Sequence, residues 1–189
     1  MKKVYLMFLL CLSVIASVSA QAPTPGSVLP VDAGTHKVTY LEVVDATGVT
    51  AANLYKLTKE WAVKQGLTIK EDVANEKLVF DGVNLMDYPN VGANGQDKGK
   101  VKYTYSVFFK DGKARYIMTD FVHENADPKA AANGGRLELV SAECGSSKMS
   151  AKGWQTIKAK TGTHAKTLTD DYKRVIKEYQ NNPANKTDW

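Results

Sequence analysis

Asp120, His123 and Glu124 are the tightest group of potential acid, base or metal-ligand side chains in the sequence. A carboxylate beside an imidazole can move protons near neutral pH, and a bound zinc ion would need several such donors converging on one point. The spacing argues against both chemistries. On a strand, positions 120 and 124 share one face and position 123 points to the other, so these residues are expected at a solvated strand end. They stand as the catalytic candidates of the sequence. The other two of the three histidines, His36 and His164, are isolated in polar surroundings and read as surface residues. No metal and no cofactor is expected.

Other reactive-looking residues lack the partners their chemistry requires. Cys144 sits in Ala142-Glu143-Cys144-Gly145-Ser146-Ser147, a turn-like context with no histidine motif beside it, and reads as a structural cysteine. Gly92-Ala93-Asn94-Gly95 and Asn133-Gly134-Gly135 do not follow the strand, glycine-rich loop, helix order with a lysine that a phosphate cradle needs. Gly145-Ser146-Ser147 lacks the flanking pattern of a nucleophile elbow. Tyr103, Tyr105 and Tyr116 are the binding candidates, because aromatic rings can stack a nucleobase or a sugar. Core packing and cross-strand pairing account for the same rings.

The N-terminus sets the context for these residues. Met1-Lys2-Lys3, an apolar run from Val4 to about Val18, and Ser19-Ala20 are the three parts of a secretory signal. Cleavage is expected after Ala20, with Pro23 and Pro25 keeping the cut site extended. The run is shorter than the roughly twenty residues of a spanning helix. Cys11 lies inside it, preceded by Leu10 rather than a small residue, so lipidation is not expected. The chain should reach the periplasm, with the cell surface or release from the cell as alternatives, and should keep no integral membrane span.

Removing residues 1–20 leaves 169 of 189 residues, enough for one domain with its own core. It also removes Lys2 and Lys3 and no acid, which lowers the formal charge from +5 to +3. That surplus is too small to argue for nucleic acid, and export separates the protein from chromosomal DNA. Cys144 alone remains, so no internal disulfide can form and packing must hold the domain together.

Residues 21–35 hold three prolines and two glycines and read as an extended leader. His36 to Val44 is β-branched and aromatic, a strand. Thr50 caps a helix that runs to about Gln65 and stops at Gly66, with Leu54, Leu57 and Trp61 on one stripe. Thr68–Glu71 and Lys77–Leu85 follow as strands, and residues 87–99 as a loop. Lys100–Lys110 alternates cleanly, with Val101, Tyr103, Tyr105, Val107 and Phe109 on one face. Asp111-Gly112 predicts a two-residue type I′ hairpin into a return strand, Lys113–His123. There Arg115, Ile117, Thr119 and Phe121 alternate against Tyr116, Met118, Asp120 and Val122. Leu137–Val140 is a candidate edge strand, and residues 141–153 read as loose. Trp154 and Ile157 suggest a short helix before a final one at 167–181, whose stripe is Leu168, Tyr172, Val175, Ile176 and Tyr179. Residues 182–189 form a tail in which Trp189 is free to dock.

This order resembles one family. The stretches that carry the likeness are Val31-Asp32, Val38–Val44, the helix around Asn53-Leu54-Tyr55 and Lys59-Glu60-Trp61, and the strand pair Val101–Tyr105 and Tyr116–Phe121. Over about residues 30–124 the chain is similar to domain of unknown function 4468, found in exported proteins of Gram-negative bacteria. The glycine- and asparagine-rich stretch 90–99 departs from it. The resemblance implies a fold like that of the TATA-box-binding protein. It implies export, but neither an activity nor catalytic residues. The expected architecture is a single α+β domain over 36–181, a curved antiparallel sheet with helices 50–65 and 167–181 on one face. The expected function is non-enzymatic: an envelope protein that binds a ligand or another envelope protein through its sheet or the 87–99 loop. The alternative is a small exported hydrolase or transferase acting near Asp120, His123 and Glu124.

Overall fold

The computed structural model describes residues 29–89, 91 and 95–182. The expected signal at 1–20, most of the leader at 21–35, residues 90 and 92–94 and the tail from 183 to Trp189 lie outside the described residues. The chain runs β1 (Tyr40–Asp45), α1 (Ala51–Lys64), β2 (Thr68–Val73), β3 (Lys77–Pro89), β4 (Gln96–Lys110) and β5 (Lys113–Asn125). A 3₁₀ turn (Pro128–Ala130), β6 (Gly135–Arg136) and α2 (Ala151–Asn181) complete it. All pairings are antiparallel, in the order β1-β5-β4-β3-β2. β6 pairs with the second half of β5, beyond the stretch that pairs β1.

One face of this sheet is the core. Val101, Tyr103, Tyr105, Val107 and Phe109 are buried, as the alternation predicts, and both helices lie over them. Trp61 of α1 packs against Tyr105 and against Tyr172 of α2, with ring centroids 5.5 and 4.7 Å away. The Tyr172 hydroxyl lies 2.9 Å from Thr58 Oγ1, which itself donates to the Leu54 carbonyl, so Tyr172 is the donor between the helices. Trp61 Nε1 donates to Asp171 at 2.9 Å. The buried indole and phenol therefore keep partners while contributing their area to the core.

The start of α1 is held twice. Thr50 Oγ1 accepts from the Asn53 amide, and Asp111, from the β4–β5 hairpin, accepts from the Ala51 amide at 2.8 Å. Two amides with no helical acceptor are thereby satisfied. The same hairpin corrects the turn expected from Asp111-Gly112: Gly112 has φ +76°, but Asp111 does not share the left-handed conformation that a type I′ turn needs. Its side chain serves the helix instead.

Four further expectations are corrected. Residues 87–99 are mostly strand, with β3 and β4 paired out to Pro89 and Gln96. Leu137–Val140 is not a strand; the short pairing falls on Gly135–Arg136. Trp154 and the 167–181 stripe belong to one helix of 31 residues, capped by Ser150. The alternation of β5 also shifts phase. Asp120 has φ +58° and, with Phe121, opposes the single residue Tyr103, forming a bulge. Phe121 is therefore buried on the same face as Tyr116 and Met118, not with Arg115 and Ile117.

Candidate functional site

The bulge decides the fate of the acid–base trio. Asp120 is exposed and bonded to Lys37 Nζ at 2.6 Å. Glu124 lies on the solvent side, 2.6 Å from Lys102 and 3.4 Å from Lys100, and these lysines hold its carboxyl below the usual range. His123 faces the core and is fully buried. Its Nδ1 accepts from the Gly134 amide at 3.0 Å, so Nε2 carries the proton. Nε2 has no hydrogen-bond partner among the described residues, and the ring lies edge-on to Tyr88 at 5.1 Å. Burial pushes the imidazole down to about 4. Glycines make room for it: a methyl at Gly99 would collide with His123 and Tyr88, and one at Gly134 with Trp154 and His123. The three residues do not converge. The histidine is a neutral core residue, and the carboxylates are spent on surface lysines.

The other candidates divide the same way. Tyr103, Tyr105 and Tyr116 are buried under the helices, with Tyr105 stacked on Tyr116 at 5.8 Å, so they offer no surface to a base or sugar. Tyr116 donates to Glu42, and the Tyr103 hydroxyl lies 3.0 Å from His164 Nε2. His164 is thus not the surface residue expected; it is half-buried on α2, and burial lowers its pKa. His36 is exposed, as expected. Burial raises the Cys144 thiol, which reduces its thiolate fraction and its value as a nucleophile. Beside it, a recess of about 100 Å³ between Ser146, Met149 and Trp154 is smaller than a substrate site. Among the described residues, no three His, Cys, Asp or Glu side chains are placed to hold a metal ion.

What remains is the open face of the sheet. The helices cover only the face that carries the tyrosines. On the other, cross-strand neighbours form two apolar-rich rows: Leu41, Ile117, Ser106 and Val79, and then Val43, Arg115, Phe108 and Lys77. Leu41 and Val43 are 57 % and 52 % exposed; Val83 and Leu85 are exposed on β3 as well, beyond the polar row of Asp81, Thr104 and Thr119. At the hairpin end the face is concave. A hollow of about 650 Å³ has Val43, Glu76, Lys77, Phe108, Lys110, Lys113 and Arg115 in its lining. The Arg115 guanidinium lies over the Phe108 ring, 4.7 Å from its centroid.

These residues escaped the sequence reading because they alternate with the core residues. The signal was present at Phe108: an aromatic follows Lys102, Thr104 and Ser106 on the face expected to be polar.

Residues 40–124 match the family model of the domain of unknown function DUF4468 with TBP-like fold. A solved TBP-like protein from Parabacteroides distasonis superposes with a TM-score of 0.57 at 18 % identity, covering 79 % of this chain and 97 % of that one. A DUF4468 family protein from Bacteroides ovatus superposes with a TM-score of 0.52 at 13 % identity, covering 82 % and 91 % respectively. Both shares of this chain exceed what residues 40–124 could supply, so the shared fold extends beyond the segment that the family model matches. No curated protein matches the chain. The resemblance read from the sequence and the α+β, TBP-like architecture are thereby shown. Among the described residues, no helix is long and apolar enough to cross a membrane.

Proposed function

We propose that this chain, with its DUF4468 match over residues 40–124, is an exported, non-enzymatic binding protein of the bacterial envelope whose working surface is the open face of its sheet. The observation that carries this reading is the half-exposed pair Leu41 and Val43, continuous through Ile117 and Phe108 with the hollow at the hairpin end. Contiguous exposed apolar surface is costly to keep in a monomer, and usually marks a contact site. The dispersed trio Asp120, His123 and Glu124 gives the hydrolase or transferase alternative no support.

The test immobilises the wild-type protein and a Leu41→Asp/Val43→Asp variant and exposes both to envelope extract. Species retained by the wild type should be lost from the variant, because both side chains already face water and the fold tolerates the charges. Equal retention by the two proteins would overturn the reading. Export is checked separately: N-terminal sequencing of protein from the envelope fraction should begin at Gln21.

A further inference from the structure

We propose that the hollow at the hairpin end of the open face binds a small amphipathic carboxylate: an anionic head held by Arg115, Lys113 and Lys110, and an apolar body laid over Phe108 and Val43. The inference rests on the open face being a binding surface and adds the chemistry of what it takes.

Charge distribution carries the first half of the argument. Along other rows of this face Lys70 pairs with Asp81, Lys77 with Glu71, and Lys100 and Lys102 with Glu124. Around the hollow, Lys110, Lys113 and Arg115 form no ion pair with a described residue; cross-strand pairing sets Lys113 between Lys110 and Asp45, and Arg115 between Phe108 and Val43. Like charges directly opposite one another on a sheet repel. The lining sets Lys110, Lys113 and Arg115 against Glu76, with Asp45 beside Lys113 on the neighbouring strand, and this surplus of cations is complementary to an anion. The Arg115 guanidinium lies 4.7 Å over the Phe108 ring with no ion-pair partner among the described residues, and its planar fork suits a carboxylate.

Size and apolarity carry the second half. A volume of about 650 Å³ lies within the range of small-molecule sites. A protein partner would need roughly 800 Å² of each surface, well beyond the hollow itself. The floor is Val43 and Phe108, and the next row, Leu41 and Ile117, extends it away from the cations. Head and body of an amphiphile thus have separate seats. A simple anion would leave the aromatic floor uncovered, and an uncharged oil would leave the cations crowded.

The test titrates the purified protein with dodecanoate below its micellar concentration, following backbone amide shifts. Dodecyltrimethylammonium has the same tail with the opposite head, and acetate has the head without the tail. Dodecanoate should saturate, with shifts confined to Lys110, Lys113, Arg115, Phe108 and Val43 and to Leu41 and Ile117 in the next row, and added salt should weaken it. Lys113→Gln/Arg115→Gln should weaken it by about tenfold or more, since hydrogen bonds to charged groups are worth roughly 1.5–3 kcal/mol. Phe108→Thr should weaken it while leaving the strand intact. The control amphiphile and acetate should not saturate. No saturation by dodecanoate, equal binding of the cationic amphiphile, or shifts mapping elsewhere would each overturn the proposal. The salt dependence of the wild type decides the matter should a variant misfold. If the Leu41→Asp/Val43→Asp variant loses partners from extract while dodecanoate fails to bind, the ligand class falls and the binding face stands.

Discussion

Replacing His123 with glutamine should spare the protein about 3 kcal/mol of the stability that it loses on acidification. The wild-type ring is fully buried, accepts from the Gly134 amide through Nδ1, and has no acceptor for the proton on Nε2. Protonation would force Nδ1 to become a second donor facing that amide, in a pocket closed by Tyr88 and Trp154. Burial accordingly lowers the folded-state pKa from 6.5 to about 4. In the unfolded chain the imidazole keeps its ordinary value, so between these limits the unfolded state binds more protons. Stability is then fully present above the unfolded value and is lost as pH falls toward the folded one. The gap of about 2.5 units, at roughly 1.36 kcal/mol each, gives about 3 kcal/mol. Glutamine removes the titration while offering an oxygen to the Gly134 amide. The lowered carboxylates, Asp72, Glu124, Asp170 and Asp171 among them, and the half-buried His164 titrate in both proteins and cancel in the difference. Urea unfolding at several values from about pH 7 to pH 4 measures that difference. The variant should start less stable, for lost ring packing, and should fall less steeply. Parallel curves would refute the reasoning, and would mean that His123 is protonated as readily folded as unfolded.

Other expectations follow from single contacts. Ile176→Ala removes a fully buried side chain from the stripe of α2, and should cost about 2–5 kcal/mol by urea unfolding. Truncation before Lys166 removes Leu168, Tyr172 and Ile176 together and uncovers Trp61, so the truncated chain should fail to show a cooperative melt. Gly82→Ala places a methyl against the Tyr103 ring, and overpacking of this kind should cost about 1–3 kcal/mol in the same assay. Asp111→Ala removes the acceptor of the Ala51 amide at the start of α1, and should cost about 1 kcal/mol with no change in far-ultraviolet circular dichroism beyond the first helical turn.

The buried face was legible in the sequence because large apolar side chains mark it at period two in β4 and at helical period in α1. It became illegible wherever the same burial is achieved by small or polar residues. In α2 the buried positions run Trp154, Ile157, Thr161, Ala165, Leu168, Tyr172 and Ile176, a single stripe at steps of three and four. Thr161 and Ala165, both fully buried, carry it across the middle; a methyl on the adjacent Gly162 would come within 3.2 Å of Leu29. Read by apolar content, that stretch is a gap, and one helix becomes two. The outer end of the β3–β4 hairpin hid for a related reason. Gly99 is there to admit the His123 ring, and in a sequence a glycine that makes room looks the same as a glycine that makes a turn.

The candidate site was the less legible part, because it lies on the face that stability does not specify. A residue on the core face is constrained by what covers it: Tyr105 must fit beneath Trp61 and Tyr172, and its substitution is felt through packing. A residue on the open face has no such cover, so polar and apolar types are nearly interchangeable there as far as folding is concerned. Phe108, Val43 and Leu41 are thus the positions where folding alone gives little reason for an apolar side chain, and Arg115 and Lys113 those where it gives little reason for an unpaired charge. Cross-strand pairing, which only the fold reveals, sets Val43 and Phe108 on either side of Arg115 and Lys113 opposite Lys110. The side chains of the hollow come chiefly from β1, β3, β4 and β5, and no single segment of sequence contains the site.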